Sequence, residues 1–246
     1  MKVTRLVIVL SLFAAQAVSE DLPEKVILAS PIDFLPVTIS RDVLNVAYQR
    51  AGIAVEYVVL PAKRSVVQVN QGLFDGEVSR IWSITDTYPN LIRVPTPINY
   101  INQVLYSNRD LKVNSCEALA GFSVGVRRGV KHAEVCSQHA GQVNVFNKTD
   151  RMMKVLSEGR IDLVITSRLS GLPFEDNKDY PHVTLLEPPL SHIHLYHFLH
   201  KSNADLVNKL DAELSKMEQS GEIETIRNQT IANYMKRLNT GALKFW

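Results

Sequence analysis

Two short segments decide the fold of this chain: Gly72-Leu73-Phe74-Asp75 and Gly159-Arg160-Ile161-Asp162. In each segment a glycine follows a predicted helix, and an aspartate directly precedes a predicted strand. Glycine adopts the left-handed conformation that closes a helix at little steric cost. The same pair of signals at equivalent places predicts that one structural unit occurs twice.

Strand-like and helix-like runs alternate around the first segment. Residues 26–29 and 53–60 have the composition of strands, and about 39–50 carry apolar residues on one helical face. Residues 62–71 predict a second helix, and 76–81 predict a third strand. Strand, helix, strand, helix, strand implies right-handed crossovers, so we expect a parallel sheet.

The same order returns around the second segment, which favours two α/β lobes over one continuous sheet. Strands are predicted at 122–126, 143–146 and 163–166, and helices at 131–138 and 150–157.

Two extended runs, 98–107 and 190–200, join the two units, and helices are predicted after them at about 203–220 and 222–238. A chain that crosses between the lobes at both extended runs forms a two-strand hinge beside a cleft. Open α/β sheets bind ligands beyond the carboxyl ends of their strands, so the cleft is the predicted binding site.

The composition is that of a globular protein. Of 246 residues, 46% are hydrophobic and 21% charged, and the formal net charge is +2. These values exclude disordered, collagen-like and disulfide-dense chains. Lys2 and Arg5 lie in a predicted export signal, and without them the protein is close to neutral. We therefore expect no nucleic-acid partner and no anionic membrane partner.

Residues 1–19 have the pattern of a cleavable signal peptide. Lys2 and Arg5 precede the apolar run 6–14, and small residues follow, with cleavage expected after Ala17 or Ser19. The alternative is a membrane anchor, but acidic residues arrive too early for the roughly 20 apolar residues that a spanning helix needs. We expect a periplasmic protein.

Cys116 and Cys136 are the two cysteines of the chain. An oxidising compartment favours a disulfide between them, while two reduced, buried thiols are the alternative. Spacing alone does not decide between the two.

Four fragments resemble the family 3 periplasmic solute-binding proteins, which include the amino-acid receptors of ABC importers. They are residues 71–76, 119–126, 156–162 and 203–226. The resemblance implies a periplasmic-binding-protein type II-like fold, in which two βαβ lobes share a two-strand hinge. It also implies closure on a small-molecule solute and delivery to an ABC permease, or signalling to a membrane sensor. We expect a monomer without a cofactor.

On this basis we expect residues 20–100 and 200–246 to form lobe one, and 101–199 to form lobe two with the hinge crossings.

The resemblance fails at three ligand-binding positions. Tyr88 stands where the family's amino-acid receptors carry an arginine for the α-carboxylate, and Gly129-Val130 lacks their hydroxyl. Ser167 stands where an aspartate receives the α-ammonium group. Tyrosine cannot reproduce the bidentate guanidinium contact, so ordinary free amino acids are disfavoured as ligands.

Other residues near the predicted strand ends are candidates to replace these contacts. Arg80 ends a strand at the cleft and supplies a positive charge, unless it forms only a surface ion pair. Trp82 either lines the cleft or only packs against other side chains of the protein. A cleft with several of these cations would prefer an anionic or polyhydroxylated solute. The candidate ligand-binding residues are Asp33, Phe34, Arg64, Arg80, Trp82, Tyr88, Arg127, Arg128, Ser167 and Arg168.

A histidine cluster, His192, His194, His197 and His200, lies in the second extended run. On a strand, His192, His194 and Tyr196 share one face and His197 points away. A third ligand is missing, so polar packing is favoured over a metal site, and we expect no metal. Titration of these histidines is a possible source of pH-sensitive closure.

The chain lacks the Gly-x-Ser-x-Gly and phosphate-loop motifs of common enzymes. We therefore predict a binding protein rather than an enzyme. The alternatives are a dehydratase-like periplasmic enzyme, with Asp33, Glu77 or Glu175 as its acid, and a soluble partner of a membrane sensor.

Overall fold

The computed structural model describes residues 23–31 and 35–240. The strands are β1 (Lys25–Pro31), β2 (Ala54–Leu60), β3 (Gly76–Arg80), β4 (Leu91–Arg93), β5 (Asn99–Ser107), β6 (Ser123–Arg127), β7 (Gln142–Phe146), β8 (Leu163–Ser167) and β9 (Thr184–His200). The α-helices are α1 (Leu35–Ala51), α2 (Ala62–Asn70), α3 (Lys131–Cys136), α4 (Thr149–Ser157), α5 (Arg168–Gly171), α6 (Leu206–Gln219) and α7 (Glu222–Asn239).

The strands form two sheets that share β9. Across the molecule their order is β2-β1-β3-β9-β5-β8-β6-β7, and β4 also pairs with β9. Within each predicted unit the pairing is parallel: β1 lies between β2 and β3, and β6 lies between β7 and β8. The predicted α/β fold with two βαβ lobes is confirmed.

The two glycine–aspartate segments perform the same task in both lobes. Gly72 and Gly159 are left-handed, with φ angles of 76° and 69°. The Asp75 carboxylate accepts a hydrogen bond from the backbone N–H of Ile27 at 2.7 Å. In lobe two, the Asp162 carboxylate accepts one from the N–H of Ser123 at 2.8 Å. Each aspartate thus ties the entrance of one strand to its neighbour.

The core of lobe one lies between the sheet and helices α1 and α6. Leu44 and Tyr48 of α1 and Leu210 and Met217 of α6 are fully buried around Val78 of β3. Burial of such side chains contributes about 1.5–3 kcal/mol each.

Lobe two has a core on each face of its sheet. Val164 of β8 packs on one face with Met152 and Leu156 of α4. The next residue, Ile165, packs on the other face with Cys136 of α3. Adjacent residues reach opposite cores because successive side chains of a strand alternate.

The hinge consists of β5, β9 and the chain that leads into β5. Residues 184–195 of β9 pair with β5, and residues 196–200 pair with β3 and β4. Backbone hydrogen bonds of 2.9 Å, from Val94 to His197 and from Ile98 to Leu195, continue the pairing through the crossing. The predicted lobe boundaries at residues 100 and 200 stay predictions.

Strand β9 starts six residues before the predicted run, and β4 was not predicted. The two prolines at 188 and 189 disfavour a strand because they lack the N–H donor. The pairing with β5 shifts its register there, so β9 continues past them.

Cys116 and Cys136 form a disulfide, with their Cα atoms 5.2 Å apart. This confirms the pairing and decides against two free thiols. The bridge joins the loop before β6 to the end of α3.

The predicted signal peptide, residues 1–19, lies outside the described residues. Among the helices described, none has the length and apolar character that crossing a membrane requires.

Candidate ligand-binding cleft

The strand register brings one strand end from each lobe to the hinge. Arg80, the last residue of β3, pairs with Tyr196 of β9. Ser167, the last residue of β8, pairs with Gln103 of β5. The carboxyl ends of these strands therefore flank the crossing of β5 and β9, where this type of sheet binds ligands.

Arg80 is bound to protein groups. Its Nε donates to a carboxylate oxygen of Glu77 at 2.7 Å, and its terminal nitrogen donates to the Ala62 carbonyl at 2.7 Å. The Glu77 side chain is fully buried and also accepts from the Ser65 hydroxyl. Burial raises the pKa of Glu77, and Arg80 and Ser65 oppose that effect. The charge of Arg80 compensates this carboxylate; its role as a ligand cation stays a prediction.

Trp82 lies just beyond β3 in the 3-10 helix Trp82–Asp86, and 63% of its surface is exposed. The guanidinium of Arg93 lies over its ring, 5.7 Å from the centroid. The same guanidinium lies 4.8 Å from the ring centroid of Tyr196. We call Trp82, Arg93 and Tyr196 the Arg93 stack. The Trp82 prediction is compatible with this position, and Arg93 is a candidate that the sequence analysis missed.

A row of rings continues from the Arg93 stack along the hinge. The rings of Tyr196 and His194 are 6.4 Å apart, those of His194 and His192 4.8 Å, and those of His192 and Tyr100 4.5 Å. At the far end, the Arg227 guanidinium lies 3.7 Å from the Tyr100 centroid. We call Tyr100, His192, His194 and Tyr196 the ring row.

His197 points to the other face, as the alternation predicted. It is fully buried, its Nδ1 lies 2.9 Å from the Glu77 carbonyl oxygen, and its Nε2 lies 2.8 Å from the Tyr48 hydroxyl. Burial lowers its pKa to about 4, so the imidazole is neutral at physiological pH. Within residues 23–31 and 35–240, no three His, Cys, Asp or Glu side chains are grouped to hold a metal ion.

In lobe two, hydroxyl and amide groups occupy the corresponding strand end. The Ser167 hydroxyl accepts from the Ser170 backbone N–H at 3.2 Å and so caps α5. Gln103 accepts from the Ser191 hydroxyl at 3.0 Å and donates to the His132 carbonyl at 3.2 Å. Burial lowers the pKa of His132 to about 4. Ser167 and Gln103 thus give this strand end polar groups that carry no charge.

The other lobe-two cations differ in their surroundings. Arg168 forms an ion pair with Glu187. Arg128 is exposed and donates to the Asn147 side chain at 3.0 Å, whereas Arg127 is half-buried.

The start of α3 receives a carboxylate from the protein itself. The Glu134 carboxylate accepts from the Gly129 N–H at 2.7 Å.

The remaining lobe-one candidates are less informative. Tyr88 is half-buried and packs beside Ile84 and Phe198 in the core that α2 covers. Arg64 is exposed on the first turn of α2. Asp33 and Phe34 lie outside the described residues. All ten ligand-contact assignments stay predictions.

A groove of about 720 Å³ lies elsewhere, at the end of lobe two away from the hinge. The loop 108–114 and residues 182–188 line it. None of the predicted ligand-binding residues lies in its lining.

Sequence comparison gives the family. The description "bacterial extracellular solute-binding proteins, family 3" belongs to a family model that matches residues 37–233. The chain is a family 3 bacterial extracellular solute-binding protein. An uncharacterized protein of Shewanella oneidensis is 28% identical over 200 residues, which cover 76% of this chain and 74% of that protein.

Two solved structures share the fold of this chain. An amino acid ABC transporter substrate-binding protein of Streptococcus pneumoniae, bound to L-arginine, matches with a TM-score of 0.66 and 17% identity, over 85% of this chain and 95% of that chain. A histidine kinase sensor domain similar to periplasmic binding proteins matches with a TM-score of 0.68 and 15% identity, over 85% and 96%. The shared fold therefore occurs in a transport protein and in a sensor domain.

Proposed function

We propose that this protein captures a small polar, anionic solute in the periplasm by closing its two lobes, and delivers it to an ABC importer. The observation that carries the proposal is the register that places Arg80 of β3 and Ser167 of β8 on either side of a two-strand hinge. A solute that contacts both strand ends stabilises the closed arrangement by its higher affinity for it.

The charge of the site supports an anionic solute. Arg93 is half-buried near the end of β3, and the lobe-two edge contains serine and glutamine. The family's usual aspartate for an ammonium group is replaced by Ser167. The site thus contains a cation, Arg93, that can bind a ligand's negative charge. It has Ser167 in place of the aspartate that would bind the ammonium group of an amino acid.

Binding is favoured over catalysis because two of the three candidate acids are already bound. Glu77 is tied to Ser65 and Arg80, and Glu175 accepts a hydrogen bond from the Tyr106 hydroxyl at 2.6 Å. A general acid needs a proton that it can pass to substrate. The third, Asp33, lies outside the described residues.

The proposal is tested by a thermal-shift screen of the purified mature protein against organic acids, amino acids, sugars and polyamines. A solute at a hundredfold excess over its Kd adds about 2.7 kcal/mol of stability. Small-angle scattering should then show a smaller radius of gyration with that solute. Failure of every solute class to shift the melting temperature, or turnover of the bound solute, would contradict capture.

A soluble sensing partner is the second candidate, favoured by the likeness to a histidine kinase sensor domain. Deletion of the gene separates the two roles. Loss of solute uptake supports transport, whereas loss of a transcriptional response with normal uptake supports sensing.

A further inference from the structure

Arg93 differs from the paired cations of this protein in how it is held. Its guanidinium lies over the rings of Trp82 and Tyr196, and no hydrogen bond or ion pair engages this side chain anywhere in the part of the chain that the structure describes. Arg80, Arg109 and Arg168, by contrast, each form an ion pair with a carboxylate. The N–H donors of the Arg93 guanidinium therefore have no acceptor among residues 23–31 and 35–240.

The strand register explains this position. Arg93 pairs with Phe198 in the antiparallel β4–β9 ladder. Tyr196 is thus its diagonal neighbour on the same face, within reach of a long side chain. Trp82 approaches from the end of β3. Two rings on the same guanidinium restrict its movement, and a restricted side chain loses less entropy when a ligand binds.

The N–H donors of a guanidinium form a planar fork at its edge, whichever ring its central carbon lies over. That geometry matches two carboxylate oxygens, which accept parallel hydrogen bonds from one guanidinium edge. The other two members of the Arg93 stack are Trp82 and Tyr196, so the stack itself contains no carboxylate that would repel an anionic ligand.

The surface beside that edge is flat and aromatic. Trp82 is 63% exposed, the largest exposed fraction of any tryptophan, tyrosine or phenylalanine described. His194 and His192 extend the ring row towards lobe two, and both are exposed. Aromatic faces bind planar rings by stacking, which adds to the area buried.

We propose that the Arg93 stack recognises the solute, and that the solute is a planar, ring-bearing carboxylate. Its carboxylate pairs with the edge of Arg93, and its ring packs on Trp82. This inference rests on the proposed function, solute capture. It adds the class of solute and the residue that binds its carboxylate.

The test is isothermal titration of the mature protein with benzoate and naphthalene-2-carboxylate. Two matched compounds isolate the two contacts: benzamide lacks the charge, and cyclohexanecarboxylate lacks the planar ring. We expect both aromatic carboxylates to bind more tightly than either matched compound. Trp82 fluorescence, measured alone in a W246F background, should change on binding.

Three variants assign the contacts. R93Q should weaken aromatic carboxylates by about 10- to 100-fold, because it removes a charge-assisted pair. R93K keeps the charge without the planar fork and should fall between R93Q and the unmodified protein. R151Q, which changes an exposed arginine on α4, is the control and should bind normally. Unfolding of each free variant checks that it is folded.

The outcomes separate this inference from the proposed function. If neither aromatic carboxylate binds, or if R93Q binds them normally, the inference is wrong. Binding of another solute class in the screen would then leave solute capture intact. If no solute of any class binds, both are wrong.

Discussion

Replacing Arg80 by alanine tests whether this arginine serves stability or the ligand. The substitution leaves the fully buried Glu77 carboxylate without its cation. Breaking a buried pair costs about 3–5 kcal/mol because one charge stays buried and uncompensated. We expect the lower end, about 3 kcal/mol, because the Ser65 hydroxyl still donates to Glu77 and the Arg80 side chain is 19% exposed. The melting temperature should fall by roughly 6–12 °C.

The pH dependence identifies the cause of this loss. Burial raises the pKa of Glu77 in the folded protein. Stability is therefore lost as the pH rises above the pKa that Glu77 has in the unfolded chain, because ionisation is less favourable in the folded state. Without Arg80 that pKa rises further, and the defect of R80A is larger at pH 7.5 than at pH 5. At low pH the protonated Glu77 needs no cation, so the two proteins converge.

Urea unfolding followed by circular dichroism at both pH values measures the effect, with R80A/E77Q as the control. The double variant removes the stranded charge and should recover part of the lost free energy at pH 7.5. The reasoning is refuted if R80A unfolds like the unmodified protein, or if its loss is the same at both pH values. Either result would return Arg80 to the list of cations available to a ligand.

Three further predictions concern stability. Replacing Cys116 and Cys136 by alanine should lower the free energy of unfolding by about 3 kcal/mol, and reductant should have the same effect on the unmodified protein but none on the variant. G171A should strongly lower the melting temperature, because the new Cβ would lie 2.1 Å from the Tyr106 ring. The control G121A, whose Cβ would meet nothing within 4 Å, should not. Equal melting temperatures of the two variants would contradict this. Burial lowers the pKa of His197 to about 4. The contribution of neutral His197 to the free energy of unfolding is therefore fully present above about pH 6.5 and falls by about 3 kcal/mol as the pH drops towards 4. In urea titrations at several pH values, H197Q should show a shallower decline.

Local sequence signals were sufficient for the architecture. Gly72 and Gly159 are left-handed, as predicted, because few other residues tolerate a positive φ after a helix. The strands that follow begin at Gly76 and Leu163, directly after the two aspartates. Short β4 was missed because three residues between proline-containing loops give no periodicity to detect.

The candidate site was only partly predictable. Strand ends pointed to Arg80 and Trp82, and both lie near the hinge crossing. Sequence position could not show that Arg80 forms an ion pair with Glu77, three residues before it, because that pairing depends on the burial of Glu77. Nor could it indicate Arg93, since its partner Tyr196 lies more than 100 residues away and meets it only through the β4–β9 register.

The amino-acid sequence by itself determined two repeated α/β units, the crossings between them and the family to which they belong, because helix ends and strand alternation are encoded within a few neighbouring residues. Only the tertiary structure decided that Arg80 is paired with Glu77, whereas no acceptor among residues 23–31 and 35–240 engages the Arg93 side chain. The state of a guanidinium depends on the acceptors and rings around it, and those arrive from strands that are distant in the chain.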